Sequence, residues 1–99
     1  MNVFVIDYVY TTPVEKADEL VEAHRDWLDG GYAAGVFLAS GPKRPRTGGV
    51  MLVLGHSRSE MEKVLRSDPF AKAGIAEYKV VEFEATKTSP ELEKVRKQD

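Results

Sequence analysis

Four runs rich in β-branched and aromatic residues are separated by two amphipathic stretches, in the order β-α-β-β-α-β. That order leaves few folds open, because short connections and right-handed crossovers prune the alternatives. Val3 to Tyr10, Val36 to Ser40, Gly49 to Gly55 and Ala76 to Thr86 read as strands. The first long helix runs from Pro13 to Ala34, with the apolar stripe Ala17, Leu20, Val21, His24, Trp27, Leu28 at three-and-four spacing. Thr12 is its expected N-cap, Pro13 its first helical residue, and Glu15 sits where a capping-box acid would fall. Its end falls near Gly30-Gly31 or Gly35. Ser57 or Ser59 can cap the second helix, whose stripe is Met61, Val64 and Leu65. Asp68-Pro69-Phe70 ends that helix and opens a short turn through Ala73-Gly74.

This order predicts an α+β, ferredoxin-like βαββαβ fold, with a four-stranded antiparallel sheet and both helices on one face. A sheet covered on one side should alternate apolar and polar residues. Strands one and three are instead apolar on both faces: Val3, Val5 and Val9 oppose Phe4, Ile6, Tyr8 and Tyr10, and Val50, Leu52 and Leu54 oppose Met51 and Val53. A second copy of the sheet, packed face to face in a homodimer, buries such a surface most simply. Asp7 lies among the valines, and alternation does not decide which sheet face it occupies.

The 99 residues fit one domain, with 42% apolar and 30% charged residues, as in ordinary globular chains. A net charge of -2 and an aliphatic sheet face argue against a nucleic-acid partner. The absence of cysteine excludes disulfides, thiolate metal sites and cysteine nucleophiles. No apolar run approaches the ~20 residues of a membrane span. MNVFVIDYVYTTP carries no basic segment or cleavage site of a signal peptide, so the expected location is cytoplasmic. The two histidines lack metal-binding spacing, and Gly48-Gly49 lacks the Lys-Ser/Thr and helix of a phosphate loop; neither metal nor cofactor is expected.

His24 occupies a core position on an apolar stripe. A buried imidazole needs a hydrogen-bond partner, which can be a backbone carbonyl or a functional carboxylate. Asp68 is the candidate: before proline it ordinarily caps a turn, but this topology brings the end of the second helix near the middle of the first. A His–Asp contact there would orient a general base. Ser40-Gly41-Pro42 is either a plain strand exit or a place where backbone and hydroxyl meet a ligand. Lys43, Arg44 and Arg46 crowd one loop; such charges are usually solvated, but they can guard a pocket for a carboxylate. His56 is expected at the surface.

Ala23-His24-Arg25-x-Trp27-Leu28, Phe37-Leu38-Ala39-Ser40-Gly41-Pro42, Asp68-Pro69-Phe70-x-x-Ala73-Gly74 and a strand ending in Val81-Glu82-Phe83 together resemble the YciI-like (YCII-related) family, from Val3 to about Glu84. The resemblance implies a dimeric α/β-barrel and an active site formed by His24 and Asp68, with Ser40, Gly41 and Pro42 lining the same pocket. Tyr8 and Phe70 complete the expected substrate-binding set. A few such proteins look like dehydrochlorinases or dehalogenases of chlorinated muconolactones and hydroxyquinols. The wider superfamily includes muconolactone isomerases and cofactor-free monooxygenases. The expected domain spans residues 1–86. The charged tail, 87–99, runs past the family pattern and reads as a frayed helix starting near Ser89-Pro90-Glu91, or as a disordered end.

Two functions follow as expectations. In one, a cofactor-independent enzyme uses His24, oriented by Asp68, to move a proton on a small organic substrate, by lactone isomerisation or loss of HCl. Tyr8 or Ser40 would steady the developing oxyanion. In the other, the domain is a non-catalytic small-ligand-binding or dimerisation module in which the pair is a structural hydrogen bond.

Overall fold

The computed structural model describes residues 1–97; the last two residues of the charged tail lie outside the described residues. The strands are β1 (Asn2–Tyr10), β2 (Phe37–Pro42), β3 (Gly48–Gly55) and β4 (Ala76–Phe83). The helices are α1 (Val14–Ala33), α2 (Arg58–Arg66) and the single turn α3 (Pro69–Lys72). The sheet order is β2-β3-β1-β4. Every neighbouring pair is antiparallel, as the βαββαβ pattern predicts.

β1 pairs on both sides, so its side chains set the two faces of the sheet. Phe4 and Ile6 face the helices and join Phe37, Met51, Val53, Met61 and Leu65 in the main core, against which Trp27 and Leu28 of α1 pack. Burial of each large apolar side chain contributes roughly 1.5–3 kcal/mol. Further along, Tyr8 joins Ala17, Phe70 and Ile75 in a smaller aromatic cluster. The site described below grows out of that cluster.

Several boundaries move. α1 begins one residue later than the pattern places it, with Pro13 as N-cap and no side-chain cap. Thr12 therefore falls outside the capping position, and its Oγ1 is the one buried side-chain polar atom left unpartnered among the described residues. Ser57 does cap α2, accepting from the Glu60 backbone N–H at 3.1 Å. β2 extends to Pro42 and β3 begins at Gly48, so the basic loop shrinks to residues 43–47. β4 ends at Phe83, short of Thr86.

Asp7 lies on the face away from the helices, paired with Lys43 at 2.5 Å. That face is only partly covered, and the chain itself covers one end. Ala85 and Val95 pack on Val3 and Leu54, with Leu38 against them. The segment expected to fray instead forms a 3₁₀ turn over Pro90–Val95. A backbone bond from Lys97 N–H to Ala85 C=O (2.9 Å) and an ion pair from Lys97 to Glu84 (2.7 Å) fasten it. Burial of Val95 on an apolar sheet end offsets part of the entropy of ordering the turn, and the two Lys97 bonds add to it. Val95→Ala should lower unfolding stability by about 1–2 kcal/mol, read from the urea midpoint at unchanged slope.

Candidate active site

Asp68 ends the connection after α2 with an extended backbone (φ -64°, ψ 131°) and caps α3, accepting from the Phe70 backbone N–H at 3.1 Å. Pro69 follows at the first helical position, where its missing N–H costs nothing. This local cap aims the carboxylate inward, and the side chain is 0% exposed. Burying a carboxylate is costly unless donors surround it. Two more donors arrive from distant elements. His24 Nδ1 on α1 lies 2.8 Å from Oδ1, and the Tyr78 hydroxyl on β4 donates to Oδ2 at 2.6 Å. The capping and pairing roles of Asp68 are thus one arrangement: the turn that needs a cap also presents the carboxylate to His24.

The imidazole is held on its other sides by rings. Phe70 stacks on it at 4.1 Å between centroids and 10° between planes. Trp27 lies at 5.8 Å and 28°, and Tyr8 meets it edge-on at 6.0 Å. Trp27 also donates from Nε1 to Ser67 Oγ at 2.8 Å, a second tie between α1 and the residue preceding Asp68. With a carboxylate at Nδ1, the neutral imidazole keeps its proton there and its lone pair on Nε2. Nε2 has no hydrogen-bond partner among the described residues, yet is not among the buried unpartnered atoms. It therefore retains accessible surface, on the cavity that His24 lines.

That cavity has a volume of about 340 Å³. Its walls are Tyr8, Tyr10, Asp18, Val21, His24, Arg25, Leu28, Ser40, Gly41, Pro42, Arg46 and Phe70. Tyr8 enters because Gly49 stands opposite it on β3. A Cβ at Gly49 would lie 2.3 Å from the Tyr8 hydroxyl, so only glycine leaves room for the phenol. Burial, reinforced by Tyr10 and Asp68, pushes the Tyr8 hydroxyl well above the ordinary tyrosine range. Burial and the bond to Asp68 do the same to Tyr78. Both phenols keep their protons and act as donors. Ser40 Oγ is held by the Tyr32 hydroxyl at 2.7 Å.

The structure brings six of the seven expected residues to this cavity: His24, Ser40, Gly41, Pro42, Tyr8 and Phe70. Asp68 stands behind His24, sealed from the cavity. Of the basic loop, only Arg46 reaches the wall; Lys43 is bound to Asp7 on the opposite sheet face. His56 is exposed. Tyr78, Tyr32 and Arg25 were not foreseen. Tyr78 left one signal: an aromatic with a polar tip alternating with Val80 on the helix-facing side of β4. Among the described residues, no group of three or more His, Cys, Asp or Glu could hold a metal ion, and no helix is long and apolar enough to cross a membrane.

The model of the YCII-related domain matches residues 1–84. The chain belongs to the YCII-related family. Among solved structures, this YCII-related chain is similar to 5-chloro-2-hydroxyhydroquinone dehydrochlorinase from Burkholderia phenoliruptrix AC1100, in complex with 2,5-dihydroxybenzoquinone. The TM-score is 0.71 at 22% identity, over 83% of this chain and 93% of that one. No curated protein matches the chain. The likeness establishes the shared fold; the chemistry rests on this chain's own residues.

Proposed function

We propose that this protein is a cofactor-independent enzyme in which His24, oriented by Asp68, transfers a proton on a small organic substrate, in the manner of a dehydrochlorinase or lactone isomerase. One observation carries the reading. His24 is bonded to a fully buried carboxylate through Nδ1, while Nε2 faces a cavity that suits a single-ring compound. A histidine serving only to satisfy the core would have no use for the open side.

Nε2 takes a proton from a C–H or O–H of the substrate, and the electron pair left behind moves into the ring. In elimination from a chlorinated lactone, the pair from the broken C–H bond forms the new C=C bond as chloride leaves with the C–Cl pair. From a chlorinated hydroquinone, the imidazolium first returns the hydroxyl proton to the C–Cl carbon, and loss of a second hydroxyl proton then expels chloride and leaves a quinone. In isomerisation the imidazolium returns the proton to a different carbon. Negative charge collects on a ring oxygen during either path, and the protonated Tyr8 hydroxyl and Ser40 Oγ are the donors at hand. Asp68 steadies the imidazolium without taking its proton. The printed ligand and activity of the structural neighbour, a hydroxylated ring and loss of chloride, are compatible with this chemistry.

The open sheet face supports a homodimer. Val9, Val50, Val81 and Phe83 are exposed at 43%, 38%, 54% and 45%, and Asp7–Lys43 is the ion pair beside them. Large apolar side chains exposed on one sheet face suit an interface with a second copy. Sedimentation equilibrium should give twice the monomer mass, and Val81→Lys should shift the chain toward monomer.

To test the catalytic proposal, the wild-type protein is incubated in D₂O with 5-chloro-2-hydroxyhydroquinone and a set of chlorinated and unchlorinated muconolactones. Chloride release and deuterium incorporation are followed together, because proton abstraction is common to both outcomes. Catalysed exchange or release on any member is expected; none above the buffer rate on all of them would overturn the proposal.

A further inference from the structure

We infer that the cavity selects an anionic substrate, a ring compound bearing a carboxylate or an ionised hydroxyl, and that Arg25 and Arg46 recognise its charge. The inference rests on the cavity being the substrate site, as proposed above. α1 presents Asp18, Val21, Arg25 and Leu28 to the cavity, residues spaced three, four and three apart on one helix face. Arg46 comes from the opposite wall, in the loop between β2 and β3. The mouth thus holds two guanidinium groups and one carboxylate.

The two arginines stand differently. Arg46 donates to Asp18 at 2.6 Å and lies 6.0 Å above the Tyr10 ring, so its guanidinium is held at the mouth. Arg25 has no hydrogen bond or ion pair among the described residues. One positive charge at the mouth is therefore unmatched, although the chain as a whole carries -2. A cavity lined by one excess charge and walled by Phe70, Leu28 and Val21 focuses its field on a bound ion. A planar guanidinium offers two parallel donors to a carboxylate. Arg25 supplies that fork directly. Arg46 supplies a second by exchanging Asp18 for the ligand, so Asp18 acts as its resting counter-ion. Charge recognition at the mouth leaves the opposite end of a single ring against His24 and Tyr8.

Matched probes test this by binding alone. The wild-type protein is titrated with benzoate and benzamide, and with cyclohexanecarboxylate and its amide, followed by NMR shifts of the cavity residues. Each carboxylate is expected to bind at least tenfold tighter than its amide. Arg25→Gln should cost about tenfold in carboxylate affinity, Arg46→Gln somewhat less, and both should leave the amides unchanged. Both side chains are exposed, so the variants should fold. Equal affinity for acid and amide, no saturable binding of either acid, or carboxylate affinity untouched in both variants would overturn the inference. A protein that shows this charge preference but turns nothing over would sink the catalytic proposal alone. Turnover with no charge preference would sink only this one.

Discussion

Asp68→Ala is expected to destabilise the protein by about 3–5 kcal/mol, the range for removing one partner from a buried charged cluster. The carboxylate takes three donors: His24 Nδ1, the Phe70 backbone N–H and the Tyr78 hydroxyl. Without it α3 loses its cap, and the half-buried Tyr78 hydroxyl loses its acceptor. Each stranded polar group costs on the order of 1–3 kcal/mol, partly relieved by water. For a domain of this size several kcal/mol is a large share of the total, so much of the variant should be unfolded at 37 °C. Asp68→Asn is the gentler probe. It can still cap α3 and accept one hydrogen bond, but it cannot offer both oxygens as acceptors or carry the charge that steadies an imidazolium. It should fold with a lowered urea midpoint and still lose most activity. Wild-type stability in Asp68→Ala would refute the three-donor arrangement.

His24→Gln is expected to separate activity from stability. Loss of a general base typically lowers turnover roughly 100- to 10,000-fold. The stability cost should be small, about 1 kcal/mol, because Asp68 keeps two of its three donors and glutamine fills part of the space against Phe70. The two members of the pair are therefore unequal as tests. Asp68 is structural whatever its chemistry, since it caps a helix turn, so its loss damages the fold in an enzyme and in an inert binding module alike. His24 alone distinguishes them. In an inert module its removal would cost stability and nothing else.

The outline of this site was legible for physical reasons that can be named. His24 interrupts an apolar stripe, and a polar group there demands a partner. The βαββαβ order limits where that partner can sit, and Asp68 lies at the end of the element that must pack nearby. Ser40-Gly41-Pro42 reads on its own as a strand exit or a ligand contact, and only the family resemblance places it in the same pocket; it forms the end of the edge strand β2. Other parts were hidden by the same reasoning. Tyr78 alternates with Val80 in a β-rich run, and such an aromatic reads as core; its hydroxyl gains meaning only when β1–β4 pairing places it over Asp68. Arg25 falls off the apolar stripe and reads as a solvated helix charge, until the facing wall turns that flank into a cavity mouth. Thr12 has the right chemistry for a cap but lies one residue too early, because local propensity does not fix where a helix packed on a sheet begins. The tail reads as a frayed helix or a disordered end by its charge, yet its Val95 finds, with Ala85 before the tail, apolar surface that only the folded sheet provides.

The most direct measurement compares wild type and His24→Gln at equal folded concentration, each shown to be native by its urea midpoint, on one substrate for which the wild type releases chloride or exchanges a proton. A His24–Asp68 base predicts a fall in kcat/KM of at least 100-fold, with KM changed far less than kcat and stability nearly preserved. Equal kcat/KM in the two proteins would contradict it.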